Sequence, residues 1–223
     1  MKVLILGDGL LGSELHSQTG WGIASRKLGN LDINDWMGLA NLISLYDVVV
    51  NCIAHTNSYS KDKTNHWDIN YRFASDVSDI CNNENVKLVH ISTEFVYANN
   101  PLPPTEEDLP IPDNTWYAYT KLLADEYIKL NNSYYLICRE LHKPNPFPYP
   151  EVWDVQTCGD TVDKIAGLII KLINKDANGV FNVGTGGKSL SKLAPNSKIT
   201  TPPPHVPLDT RMDLSKLNSF LEC

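Results

Sequence analysis

Val3-Leu4-Ile5-Leu6-Gly7-Asp8-Gly9-Leu10-Leu11-Gly12-Ser13-Glu14-Leu15 is the stretch on which the fold turns. Four apolar residues run into a glycine turn, and the turn runs into the start of a helix. In such a unit the first glycine permits a tight bend and the second lets a pyrophosphate approach the backbone. The third lets helix pack on strand, and the helix N-terminus adds free N–H groups and partial positive charge. Gly7, Gly9, Leu10, Leu11 and Gly12 are therefore candidate dinucleotide-binding residues; a plain strand-to-helix turn is the alternative.

Downstream, Gly22-Ile23-Ala24-Ser25-Arg26-Lys27 reads as the second strand and its end. An acid at that end suits the 2′-hydroxyl of an NAD ribose, whereas arginine suits a 2′-phosphate. Ser25 and Arg26 stand there and no acid does, so NADPH is expected as cofactor, with NADH the alternative. Solvated loop charges are the alternative reading of Arg26 and Lys27.

Strand and helix patterns then alternate as far as Arg139. Helices are expected over about 34–45 and 66–83, the second with Trp67, Ile69, Phe73, Val77 and Ile80 as its buried stripe. Strands are expected at 47–52, 86–91 and 133–139. Those at 47–52 and 86–91 close on small and polar residues, Cys52-Ile53-Ala54-His55-Thr56 and Ser92-Thr93-Glu94, as strands do at the ligand-binding edge of a parallel sheet. Such alternation implies an α/β fold, a doubly wound parallel sheet covered on both faces. Prolines at 144, 146, 148 and 150 exclude regular structure over 142–153. A helix at 161–173, a strand at 179–184 and a short helix at 213–221 complete the chain.

Trp116 through Leu130 reads as a helix with Tyr117 and Lys121 four residues apart, hence on one face. An ammonium beside a phenol lowers the phenol pKa, and such a phenol can protonate an oxygen that has accepted hydride. On most helices the same pair is only a solvated face.

The 223 residues suffice for one substantial core. A net charge of -7 without a basic stretch argues against nucleic acid or an anionic membrane as partner. No apolar run approaches the ~20 residues of a membrane span. Cys52, Cys81, Cys138, Cys158 and Cys223 are widely spaced, suggesting neither disulfide framework nor metal site. A cytoplasmic chain with free thiols is the simple expectation.

Taken together these segments resemble the extended short-chain dehydrogenase/reductases, and within them the dTDP-4-dehydrorhamnose reductase (RmlD-like) family. The resemblance rests on the glycine loop, Leu31-Asp32-Ile33, Val50-Asn51-Cys52-Ile53-Ala54-His55-Thr56, His90-Ile91-Ser92-Thr93-Glu94-Phe95-Val96-Tyr97, the Tyr117/Lys121 helix and the closing segment 207–217. It implies a Rossmann-type domain over 1–139 and a small substrate lobe, reduced relative to the family, over 140–223 and interleaved with the core. It further implies NAD(P)H-dependent reduction of the C4 ketone of a 4-keto-6-deoxy nucleotide sugar, in deoxysugar or rhamnose biosynthesis. The alternatives are a non-catalytic NADP-binding regulatory subunit of the same fold and a nucleotide-sugar epimerase/reductase, the latter disfavoured because Thr93–Tyr97 contains no Cys. Tyr117, Lys121, Thr93 and Glu94 would be catalytic: Tyr117 as acid, Lys121 lowering the tyrosine pKa and holding the nicotinamide ribose, Thr93 on the carbonyl oxygen and Glu94 polarising or positioning nearby groups. Asp32 and Ile33 would touch adenine, Cys52 and Ala54 would flank the cofactor, and Asn70 would support Lys121. A homodimer is expected by analogy. Glu94 stands where the family usually has Asp, and His55 where Tyr is common.

Overall fold

A computed structural model describes residues 1–101 and 103–222. Ten segments precede the chain's midpoint: β1 (Val3–Leu6), α1 (Leu10–Thr19), β2 (Gly22–Ala24), α2 (Trp36–Ile43), β3 (Val48–Asn51), α3 (Lys63–Asn65), a π-helical stretch His66–Arg72, α4 (Phe73–Asn83), β4 (Lys87–Thr93) and a 3-10 turn Glu94–Tyr97. Then come α5 (Trp116–Asn131), β5 (Tyr135–Glu140), β6 (His142–Lys143), β7 (Glu151–Trp153), β8 (Gln156–Thr157) and β9 (Asp160–Thr161). The chain continues through α6 (Val162–Asn174), β10 (Gly179–Asn182), β11 (Lys188–Ser189), β12 (Lys198–Thr200) and α7 (Ser215–Glu222).

Six strands form one parallel sheet in the order β2-β1-β3-β4-β5-β10. Alternate strand residues serve opposite faces. Val3 and Ile5 of β1 pack with Leu11 and Leu15 of α1, Ile165, Ile169 and Leu172 of α6 and Leu217 of α7. Leu4 and Leu6 pack with Leu39 and Ile43 of α2, Phe73, Val77 and Ile80 of α4 and Ile128 of α5. Both faces are thus covered, which is the doubly wound α/β architecture. From β1 the chain goes outward to β2 and returns to β3 on the other side. That reversal opens a crevice at the carboxyl ends of β1 and β3.

Residues 140–223 divide their contribution. Within them, β10, α6 and α7 complete the sheet and its cover, while β6–β9, β7–β12 and β8–β11 pair as two-stranded ribbons. The four prolines of the 144–150 run lie between β6 and β7, so regular structure touches both ends of the segment expected to lack it.

One helical stripe differs from its sequence reading. Trp67 is 41% exposed, whereas His66 and Asn70 are fully buried. The π-helical turn over His66–Arg72 advances the face by an extra residue per turn, so the α-helical spacing that selects Trp67 does not apply there. The thiols of Cys52, Cys81, Cys138 and Cys158 are free; Cys223 lies outside the described residues.

Candidate active site

At the carboxyl edge of the sheet lies a cleft of about 480 Å³, walled by the turn after β1, the ends of β3, β4 and β5, and the start of α5. Its lining includes Gly9, Leu10, Leu11 and Gly12 of the glycine turn, Cys52 and Ala54 after β3, and Thr93, Tyr117 and Lys121. The structure therefore gathers into one space most residues singled out from sequence.

The glycine turn is shaped by three different constraints. Gly7 has φ +101°, a conformation that disfavours side chains, and a Cβ there would also crowd Ile53. At Gly12 a Cβ would fall 2.0 Å from the Gly7 carbonyl oxygen. Gly9 caps α1, and a Cβ on it would meet nothing within 4 Å. Among the described residues no side chain caps this helix, which leaves its first N–H groups free beside the cleft that Leu10, Leu11 and Gly12 line.

Helix α5 starts where Thr115 accepts a hydrogen bond from the Ala118 amide at 3.2 Å. Ala118, Lys121, Ala124, Asp125 and Ile128 form its buried stripe at helical spacing. Tyr117, one turn before Lys121, is half-buried at the cleft wall. Its phenol is pushed up to about 12, first by burial; the Thr93 hydroxyl pulls the other way, and the charges of Glu140, Glu94 and Asp125 push further up. The expected lowering by Lys121 is not what sets this group. The Lys121 ammonium instead donates to the Ile91 carbonyl at 2.5 Å and lies 3.0 Å from His90 Nε2. Burial pushes Lys121 down to about 8, against the pull of Asp125 and Glu140. His90 is held well below its usual range by burial and by Lys121, so its imidazole is neutral and accepts from the lysine.

Glu94 is not in the cleft lining. Its carboxylate is 1% exposed and accepts from Thr157 Oγ1 at 2.7 Å and Thr210 Oγ1 at 2.5 Å. Burial raises it to about 7. Asn70 also sits behind the wall, accepting from the His55 amide at 2.7 Å and donating to the His55 carbonyl at 3.2 Å. Ser25 is buried, its hydroxyl accepting from the Leu28 amide at 3.1 Å, while Arg26 is exposed. Asp32 lines a second hollow of about 410 Å³ with Gly29, Asn30 and Leu31. Ile33 packs partly against the core beside it.

Sequence reading missed Glu140, His142 and Lys143, which line the cleft at the end of β5. Glu140 is the register partner of Thr93 across β5 and β4. The strand-edge rule that flags Thr93 would flag Glu140 too, had the strand been carried one residue past Arg139. It also missed the buried ion pair behind the site. Arg139 Nε donates to Asp125 at 3.0 Å, with Ser92 donating to the same carboxylate at 3.0 Å and Tyr97 bonding the guanidinium. Among the described residues no cluster of three or more His, Cys, Asp or Glu is placed to hold a metal ion. None of the helices described is long and apolar enough to cross a membrane.

Solved structures with the same fold include a dTDP-4-dehydrorhamnose reductase from Clostridium acetobutylicum (23% identity, TM-score 0.81, covering 100% of this chain and 92% of that one). A dTDP-4-dehydrorhamnose reductase from Bacillus anthracis, in complex with NADP, aligns with 21% identity and TM-score 0.82 over 100% and 98% of the two chains. A UDP-glucuronic acid 4-epimerase from Bacillus cereus, in complex with NAD, gives 20% identity and TM-score 0.76 over 100% and 90%. No curated protein matched the chain. The family model described as the RmlD substrate binding domain matches residues 1–140, well over half of the sequence, and the chain belongs to that family.

Proposed function

We propose that this protein is an NAD(P)H-dependent oxidoreductase that reduces the C4 ketone of a 4-keto-6-deoxy nucleotide sugar. The observation that carries the proposal is the convergence of Tyr117, Thr93 and Lys121 on the cleft that the uncapped N-terminus of α1 also faces. The open space at Gly9 fits a pyrophosphate, which any side chain there would displace. On this reading the backbone of Gly7, Gly9, Leu10, Leu11 and Gly12 holds the pyrophosphate. Ser25 and Arg26 take the ribose 2′-phosphate of NADPH, with NADH as the alternative, and Asp32 and Ile33 take the adenine. Cys52, Ala54 and Lys121 face the nicotinamide end. When bound, the cofactor supplies hydride to the ketone carbon.

Tyr117 gives its proton to the alkoxide oxygen, and Thr93 hydrogen-bonds the same oxygen. A phenol raised to about 12 stays protonated at neutral pH, which is the form a reduction consumes. Lys121 is anchored by Ile91 and His90, so its role is positional toward the ribose rather than an adjustment of the phenol. Asn70 holds the His55 backbone at the end of β3. Glu94 acts by tying down Thr157 and Thr210 rather than by touching substrate.

Tyr117→Phe should lower kcat by about 10²–10⁴ while cofactor affinity is kept. The measurement is loss of reduced nicotinamide absorbance with dTDP-4-keto-6-deoxyglucose as substrate. Unchanged turnover in the variant would remove Tyr117 from the mechanism. Cofactor binding by the wild type with no turnover on any keto sugar would favour a non-catalytic, dinucleotide-binding subunit of the same fold.

A further inference from the structure

Glu140 and His142 form a second polar pair in the cleft that the mechanism above does not use. His142 Nδ1 lies 3.0 Å from both Glu140 oxygens. The ring therefore donates Nδ1–H to the carboxylate and leaves Nε2, which makes no hydrogen bond among the described residues. Glu140 is 4% exposed and His142 24%, and both line the cleft with Tyr117 and Thr93. The backbone under His142 is fixed by the pairing of β6 with β9. Of the charges acting on Tyr117, that of Glu140 is the largest, so the pair and the phenol share one electrostatic neighbourhood. The carboxylate also holds the imidazole above its usual range despite burial.

A purely structural role fits this pair poorly. Its members are two residues apart, so their bond braces no distant elements, whereas Glu94 joins segments 63 and 116 residues away. Burying a carboxylate beside an imidazole costs desolvation that their mutual attraction repays only in part. A carboxylate that orients an imidazole with one nitrogen free is a recurrent proton-transfer device. Cys52 shares the cleft, but burial drives its thiol far up and holds it protonated. Lys121 is occupied by Ile91 and His90.

We infer that His142, oriented by Glu140, is a second proton-transfer group of this cleft, acting on a carbon next to the ketone whose oxygen Tyr117 serves. The inference rests on the ketosugar reading above. Nε2 takes the proton from that carbon. The C–H electron pair becomes the carbon–carbon double bond of an enolate, and the carbonyl π pair moves onto oxygen, where Tyr117 and Thr93 hydrogen-bond it. Return of a proton from Nε2 to the carbon restores the ketone. No oxidant or reductant is consumed, and in D₂O the returning proton is replaced by deuterium.

The test is proton NMR of dTDP-4-keto-6-deoxyglucose in D₂O with the full chain and oxidised NADP, a state in which net reduction cannot occur. Wild type should wash out the signal of a proton adjacent to the ketone well above the buffer blank. His142→Gln and Glu140→Gln should each slow that washout by about 10²-fold. Wild type that reduces the ketosugar with NADPH yet exchanges only at the blank rate overturns the inference and leaves the reductase reading intact. Wild type that does neither overturns both. Washout at the wild-type rate in a folded His142→Gln protein also overturns it. Should that variant fail to give a native circular-dichroism melt, His142→Asn and Glu140→Gln answer the same question.

Discussion

At Gly12 the clash of a Cβ would be with the Gly7 carbonyl, which cannot rotate away as a side chain can. Gly12→Ala should therefore displace the turn and cost about 1–3 kcal/mol of stability, read from chemical denaturation. Gly9→Ala should cost at most about 1 kcal/mol, the difference between glycine and alanine as helix caps. On the proposed function it should nonetheless weaken NADPH binding by far the more, because the methyl group would stand in the space given to the pyrophosphate. Equal effects of the two variants on binding per unit of stability lost would argue against a ligand there. These glycines were legible in sequence because their spacing follows from backbone geometry alone. Glu140 and His142 were not, since an acid and a histidine two residues apart carry no local signature. Only the register that sets Glu140 beside Thr93 marks them.

Among elements, Glu94 is a junction rather than a reagent. It stands at the start of the 3-10 turn after β4 and receives hydroxyl hydrogens from Thr157 in β8 and from Thr210 near the end of the chain. Sequence placed it at a strand's carboxyl end beside Thr93, where reactive groups gather. The strand ends at Thr93, and the 3-10 turn that begins at Glu94 carries its side chain to Thr157 and Thr210 instead. Its carboxyl titrates at about 7 in the folded protein against an ordinary 4.5. The folded state thus holds this proton more tightly than the unfolded chain. The resulting stabilisation is complete below pH 4.5 and is lost as pH rises through about 7, a change of about 3 kcal/mol at 1.36 kcal/mol per pH unit. Glu94→Gln, which cannot ionise, should remove that share of the pH dependence. The check is the difference in denaturation free energy between pH about 5 and about 8, wild type against variant. Identical slopes would mean that Glu94 titrates normally. The π-helical stretch before α4 was invisible for a related reason: periodicity assumes a constant turn, and His66–Arg72 departs from it.

For the molecule as a whole, the alternation of strands and helices was readable up to β5, because each element carries its own hydrophobic pattern. Less readable was how residues 140–223 share themselves between the sheet and the ribbons above it. β10 pairs with β5, and α6 lays Ile165, Ile169 and Leu172 against Leu11 and Leu15 of α1. Lys216 of α7 donates to the Val180 carbonyl of β10 at 2.7 Å, and Phe220 packs on Phe181 at 5.2 Å between ring centroids. A fragment of residues 1–139 should consequently lack a native core. We expect it to retain far-ultraviolet circular dichroism but lose near-ultraviolet signal and cooperative melting. A cooperative melt for that fragment would show that the first five strands stand alone.

The packing of α6 on α1 also bears on how the chain is made. Synthesis delivers the N-terminus first, at about 5–20 residues per second. The helix behind the glycine turn is made long before α6, which completes the burial of Leu11 and Leu15 that Val3 and Ile5 of β1 begin. During most of elongation, then, the flank of α1 that faces α6 lacks that neighbour. Completion of the glycine-turn end of the cleft therefore falls late in translation, after most of the chain has emerged.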